Sequence, residues 1–420
     1  MKRTCTLGAA ALMILGARPV LAQANISGSV QLWYTQMTDN NLRRNSAAPG
    51  GYFNLRSEFK ENTFTVRRSE LKISGKAMDG LEYEVMVDPS INTAATNPTI
   101  LQDAFLVWKP GAGFSLKAGQ MKTLQTYEGA GSSSELLFAE RSQLGRVFGD
   151  KRDRGIVAAQ EFGQPADFAT KISVGLFNGQ SDLVSGKSTD NNAQKDFVGR
   201  VDFTFEKIHK FGFYTLQGGT DQADKGKMIA LPFAGTSAPA TADVLDNKDK
   251  LSNLGAFYVF QTDSWVLSAE YITGVLGRRF ASVWTVNADG TTTAPTAAKR
   301  EHLDQKFVGY YVTGGYTTGN HSFLLRYDVL NYNSGDKWYT SYNPYTQKAD
   351  GSALGADYTP KFTEITAGYT YAWKPEKVKA ANFKLNYIAR SKNFLKPNTA
   401  AGQTGEQGGN TIVAALQIAF

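Results

Sequence analysis

The amino-acid sequence predicts an all-β chain, a transmembrane antiparallel β-barrel of about 16 strands that follows a cleaved leader. Three observations predict it. An export signal opens the chain, short segments of period-two alternation fill the remainder, and short and long connections take turns along it.

Lys2 and Arg3 make a basic start, an apolar stretch runs from Leu7 to Leu15, and Ala22-Gln23-Ala24 offers a small-x-small cleavage site. Cleavage after Ala24 fits best, and Val20-Leu21-Ala22 would also serve. The apolar stretch is well short of the roughly 20 residues that span a bilayer, so it reads as a leader and not an anchor. Residues 1–24 are therefore set apart from the barrel, residues 25–420. Cys5 is the single cysteine and leaves with the leader, which excludes disulfides, thiolate nucleophiles and cysteine-bound metals. Lys2, Arg3 and Arg18 leave too, so 42 basic residues face 38 acidic ones and the net charge falls from +7 to +4. That excess is too small and too dispersed to argue for nucleic acid.

Glycine is frequent (41 of 420), and 44 residues are Tyr or Phe, recurring inside short alternating segments. Leu81, Tyr83, Val85 and Val87 share one face, with Glu82, Glu84 and Met86 on the other. Phe323, Leu325, Tyr327 and Val329 stand opposite Arg326 and Asp328, and Phe383, Leu385 and Tyr387 opposite Lys384 and Asn386. A soluble sandwich would show the same pattern with its apolar face turned inward. The connections separate the two readings. Short ones lie near Ala77–Gly80, Pro110–Gly113, Gly163–Asp167, Lys207–Gly212, Gln261–Ser264, Thr317–Asn320 and Lys374–Ala381. Long ones lie near Thr38–Asn62, Ser90–Ile100, Lys122–Asp153, Gly179–Lys195, Asp221–Lys250, Gly277–Gln305, Asn331–Pro360 and Phe394–Asn410. Short periplasmic turns on one rim and long extracellular loops on the other are the asymmetry of outer-membrane barrels. A soluble domain has no reason to place a long loop at every second connection.

The last strand, Thr411 to Phe420, carries Ile412, Ala414, Leu416, Ile418 and Phe420 on one face and must pair with the first, near Ile26–Gln36. A barrel in lipid cannot leave an edge open. The terminal aromatic resembles the signal read by the outer-membrane barrel-assembly machinery. Trp33 with Tyr34, Trp108, Trp265, and Trp373 with Tyr371 fall near expected strand ends, where an aromatic girdle meets the lipid interface.

Sixteen strands enclose a lumen too wide for side chains to fill, so a segment must narrow it. The best candidate is the connection near 122–153, which begins at the outer rim. Leu136-Leu-Phe-Ala139 suits packing on a wall, and Arg141, Arg146, Lys151, Arg152 and Arg154 outnumber Asp150 and Asp153. Lys122 stands at its start. On the second strand, alternation puts Arg68, Glu70 and Lys72 on one face, opposite Leu71 and Ile73. Arginine at mid-depth on a lipid face costs roughly 2–4 kcal/mol, so the charged face is expected to line the pore. Arg67 has lipid-side parity and must then reach the interface or lie outside the regular strand. Asp103 is expected to share the lumen and to pair with a loop arginine.

Arg67-Arg-Ser-Glu-Leu-Lys-Ile-Ser-Gly75, Leu101-Gln-Asp-Ala-Phe-Leu-Val-Trp108, Lys117-Ala-Gly-Gln-Met-Lys122 and Ala139-Glu-Arg-Ser142 together resemble the phosphate-selective porins O and P. The likeness is specific from about Phe64 to Arg154 and architectural from there to Phe420. It implies homotrimers of sixteen-stranded barrels, each with a narrow anion-selective channel. With the leader, the barrel is expected in the outer membrane of a Gram-negative bacterium, and no cofactor is expected. It implies Arg67 and Arg68 as paired pore arginines, and Asp103 and Arg141 as constriction acid and loop arginine. The tight phosphate binders of that family carry a ladder of arginines on the fifth outer loop. Here Asp221 to Lys250 holds no arginine, only Lys225, Lys227, Lys248 and Lys250, so weak phosphate binding is expected.

A passive channel preferring small anions is the function these features imply. A porin for larger neutral or carboxylate solutes would share the fold, and Tyr332, Trp338, Tyr339, Tyr342, Tyr345 and Tyr358 on one outer loop suit sugar stacking. A hydrolase is the alternative of another class. His209, His302 and His321 are the histidines, and Ser322 beside His321 would point to the opposite face of a strand, out of reach as a nucleophile.

Overall fold

A computed structural model describes residues 24–38, 62–90, 100–164, 166–179, 194–219, 250–282, 285–286, 292–293, 300–331, 334, 361–378, 380–391, 395–397, 404–406 and 410–420. The leader with Cys5, Lys225, Lys227 and Lys248, and the aromatic residues from Tyr332 to Tyr358 lie outside the described residues, and so does the side chain of His302.

Sixteen strands form one closed barrel. They are β1 (Asn25–Met37), β2 (Thr63–Met78), β3 (Leu81–Val87), β4 (Leu101–Gly111), β5 (Phe114–Lys122), β6 (Arg152–Gln164), β7 (Phe168–Phe177) and β8 (Asp196–Phe205). The second half comprises β9 (His209–Gly219), β10 (Lys250–Gln261), β11 (Trp265–Ser282), β12 (Arg300–Thr318), β13 (His321–Asn331), β14 (Lys361–Ala372), β15 (Ala381–Arg390) and β16 (Thr411–Ala419). Each pairs with its sequence neighbour, antiparallel throughout, so every strand has a partner on both sides without a crossover. Two small ribbons, Thr285–Val286 with Thr292–Thr293 and Leu395–Pro397 with Thr404–Glu406, stand on the outer connections.

The seam joins the two ends of the chain. Ser29 faces Ala419 and Met37 faces Thr411. Beyond the last ladder pair, Gly28 N donates to Phe420 O at 2.9 Å and Phe420 N returns the bond at 3.0 Å. A Cβ on Gly28 would lie 2.5 Å from the Glu70 carbonyl oxygen and 2.8 Å from the Phe420 ring, so the seam closes only around glycine.

The alternation resolves into two faces, and the apolar one points outward. On β13, Phe323 and Leu325 are more than half exposed while Arg326 is 1% exposed. Leu385 and Tyr387 are exposed on β15 where Lys384 and Asn386 are buried. Apolar outside and polar inside inverts the pattern of a protein in water and suits a lipid solvent. Trp108, Trp265 and Trp373 are exposed on the outer face, as an interfacial girdle requires.

Three expectations need correction. Trp33 is no girdle residue: it is buried on the inner face, packed with Ala139, Ile388, Val413 and Ala415. Arg67, by contrast, takes the second of its two expected places, outside the regular strand. The register slips between Gln31 and Leu32, a bulge that leaves Arg67 as an extra residue and lets its side chain turn inward. The turn placed at Lys207–Gly212 is shorter, because β9 already begins at His209. Similarly, β11 and β12 extend to Ser282 and back from Arg300, beyond the bounds expected of them.

Candidate constriction and its anchoring network

The connection between β5 and β6 carries local structure built from its own sequence. Thr126 caps α1 (Tyr127–Ala130) by accepting from Gly129 N, and Ser142 caps α2 (Gln143–Val147) by accepting from Gly145 N. Ser132 caps the short 3-10 turn Ser133–Glu135 between them.

This segment lies against the inner wall around most of the barrel. Arg200 of β8 donates to the carbonyls of Leu124 and Thr126, Gln125 donates to Thr215 O of β9, and Tyr127 N donates to Glu270 of β11 at 2.7 Å. Gln143 N reaches Asp328 of β13 at 2.6 Å, and Gln143 Nε2 reaches Phe362 O of β14. Asn386 of β15 accepts from Ala139 N, and Lys384 donates to Leu136 O and Phe138 O. Gln417 of β16 donates to Ser134 O, Gln31 of β1 to Ser133 O, and Ser133 Oγ to Glu70 of β2. Apolar packing runs alongside: Leu144, Val147 and Phe148 join Ile272, Phe307, Leu330 and Phe362, with Phe148 stacked on Phe307 at 4.4 Å. The backbone of β14 comes so close that a Cβ on Gly368 would meet the Phe138 ring at 2.8 Å.

The charges divide into two sets. The first is mostly buried, with Glu364 and Arg390 fully enclosed and Arg67 a quarter exposed. Glu364 sits between Arg146 at 2.8 Å and Arg390 at 2.9 Å, and Arg326 contacts Glu128 at 3.4 Å and lies over the Phe138 ring at 4.6 Å. Glu140 pairs with Arg67 at 3.0 Å. Burial pushes the Glu140 carboxyl up, but Arg67, Arg68 and Arg146 outweigh it and bring it down to about 2. Burial lowers the Arg146 guanidinium, and Glu364 with Glu140 more than reverses this, leaving it raised.

The second set lies at the junction with β5 and β6. Asp150 is within reach of Arg141 at 2.7 Å, Lys122 at 3.1 Å and Arg152 at 3.7 Å. Burial raises the Asp150 carboxyl, and these three cations override it and hold it far below the ordinary carboxylate range. Arg152 also spans to Asp103 with two bonds, 3.1 and 3.2 Å.

The expected site residues fall as follows. Arg68 is buried and donates to Gln31 Oε1 at 2.8 Å. Lys72 meets Glu84 across the strands at 3.4 Å. Asp103 pairs with an arginine of the connection, Arg152, while Arg141 pairs with Asp150. Lys122 and Arg146 point into the segment, donating to the carbonyls of Gly129 and Arg141 respectively. Lys151 and Arg154 are half-buried beside them, the latter opposite Gln120 on β5. His321 bonds Tyr369 and Ser322 bonds Thr317, so they do not form a nucleophile–base pair.

A sequence model of the phosphate-selective porin O and P family matches residues 50–420. The chain belongs to that family. No curated protein matches it in sequence. Among solved structures, the porin-family chain is similar to an anion-selective porin from Comamonas acidovorans, with 12% identity, TM-score 0.50, and 95% of this chain and 100% of that one covered. It is also similar to OmpT, an outer membrane protein of Vibrio cholerae in a trimer form, with 10% identity, TM-score 0.50, and 95% and 99% covered. Both likenesses are of fold. Family and fold point to an outer-membrane channel and not to an enzyme.

Within this porin, reading the sequence missed Glu128, Glu140, Arg200, Glu270, Glu364 and Arg390 as anchors. Arg326, Asp328 and Lys384 were legible as inward-facing charges from alternation alone. Their partners were not, because each lies about 185 residues or more away along the chain.

Proposed function

We propose that this porin is a passive diffusion channel that prefers small anions, with the segment between β5 and β6 as its constriction. The anion path runs along Arg67, Arg68, Lys72, Asp103, Lys122, Arg141, Arg146, Lys151, Arg152 and Arg154. The observation that supports it best is the convergence of Lys122, Arg141 and Arg152 on the single carboxylate of Asp150, which keeps 27% of its side chain exposed. Lys122, Arg141 and Arg152 against Asp150 and Asp103 leave one positive charge in surplus where the passage is narrowest. Charges in a confined lumen act at short range, where bulk salt screens incompletely. The mature chain, freed of residues 1–24, assembles as a homotrimer after Phe420 has addressed it to the barrel-assembly machinery.

Phosphate is held weakly. Arginines grip it with bidentate, charge-assisted forks, whereas here Arg141, Arg146 and Arg152 are each already paired with a carboxylate. Reversal potential across a potassium chloride gradient in planar bilayers tests the preference, and a value favouring potassium overturns it. Titrating phosphate into the chloride-filled channel tests the affinity. Half-block in the millimolar range or weaker is expected, and block at micromolar phosphate contradicts this reading.

A further inference from the structure

Lys117 stands apart from the interior cations described above. Each of the others engages a carboxylate, an amide, a carbonyl or another partner. Lys117 has no hydrogen bond or ion pair among the described residues. Its ammonium instead rests over the face of the Phe105 ring, 4.2 Å from the centroid. The nearby carboxylates are already engaged, Glu84 by Lys72 and Asp103 by Arg152.

Its ladder neighbours on both sides are apolar. Lys117 faces Val107 on β4 and Val157 on β6 across the ladders, both buried on the inner side, and Phe105 packs against the interior apolar cluster. It lies five residues before Lys122 on β5, about 17 Å along the strand at about 3.4 Å per residue, on the periplasmic side of the junction. A single cation without an ion pair, flanked by an aromatic ring and two valines, is a poor match for phosphate, which takes several donors at once. It matches an anion with one charge and an apolar body. The carboxylate meets the ammonium while a ring or alkyl chain lies on Phe105 and the valines, replacing water on both surfaces.

We propose that Lys117 and Phe105 form a subsite for organic monocarboxylates on the inner side of the constriction, so that such anions pass in preference to inorganic ones. This rests on the anion-channel reading and names a solute class for it. The test is bi-ionic reversal potential with benzoate, acetate, phosphate and chloride as potassium salts. In the native channel, the benzoate-to-chloride permeability ratio should exceed the ratio of their free-solution mobilities. Lys117→Gln should lower it about threefold, as expected when a part-exposed ion pair to the carboxylate is lost. Lys117→Arg, which keeps the charge, should restore it. Phe105→Leu should reduce benzoate more than acetate. An unchanged benzoate ratio in Lys117→Gln overturns the subsite, and an equal loss of acetate and benzoate in Phe105→Leu overturns its apolar half. A native channel that prefers potassium over chloride removes the anion reading itself, an outcome visible before any variant is made.

Discussion

The inward segment meets the barrel in two different ways at its two ends. Against β13–β15, Glu364 is shared by Arg146 and Arg390 with no exposure of the acid, and Asp328 takes the Gln143 amide. At β5 and β6, Asp150 remains partly exposed and answers to three cations. Buried charge without a partner costs several kcal/mol, so the dry end tolerates only matched groups. Where solvent reaches, a surplus can persist. Under the proposed reading, the difference separates charges that hold the segment in place from charges that a passing ion would feel.

The largest effect is expected from breaking the matched end. Glu364→Ala leaves two buried arginines without their common acid, a loss of about 3–5 kcal/mol. The temperature at which the folded band converts in heat-modifiability gels should fall, and single-channel conductance should rise as the segment loosens. Glu364→Gln, which preserves volume, should fall between. Unchanged conductance in both variants would mean that the apolar contacts of Leu144, Val147 and Phe148 suffice.

A smaller effect is expected at the exposed end. Asp150→Asn removes the acid that offsets Lys122, Arg141 and Arg152, so the anion-to-cation permeability ratio should rise. The change should be about twofold, since part-exposed ion pairs are worth about 0.2–1 kcal/mol. A shift toward cations would show that these side chains do not line the passage, and the contrast between the two ends would lose its functional meaning.

The smallest effect is expected from acid. Glu140 and Asp150 both have depressed folded-state carboxyls. Their pairing therefore stabilises the segment fully above the unfolded value, about 4.3 for Glu and 3.9 for Asp. It is lost only as pH falls through the folded values, about 2 for Glu140. Conductance governed by this network should stay level from neutral pH to about pH 4, then change toward pH 2. A transition at pH 5 to 6 would place control in a different group.

Much of the molecule is legible in the sequence because strand periodicity is a local property. The lipid face of β13 and β15, the parity of Arg68 and Lys72, and the seam at Phe420 follow from counting by two and from the absence of free edges in lipid. Trp33 and Arg67 show where that counting breaks. One extra residue in β2 rotates Arg67 from the lipid side to Glu140, and no residue type at that point signals a bulge. Trp33 looked like a girdle residue by type and place, yet its parity put it under the segment with Ala139.

The sequence by itself determined the barrel, its strand number and the location of a basic, partly apolar connection suited to narrowing it. Those depend on neighbours in the chain and on the solvent, which act on every segment alike. Only the tertiary structure decided that Asp103 binds Arg152 and not Arg141, that Arg146 meets Glu364, and that Lys117 forms no ion pair among the described residues. Such pairings depend on which side chains, some more than 200 residues apart, arrive within about 3 Å of one another inside a closed wall. Barrel closure and bulges set those distances, and local pattern does not encode them.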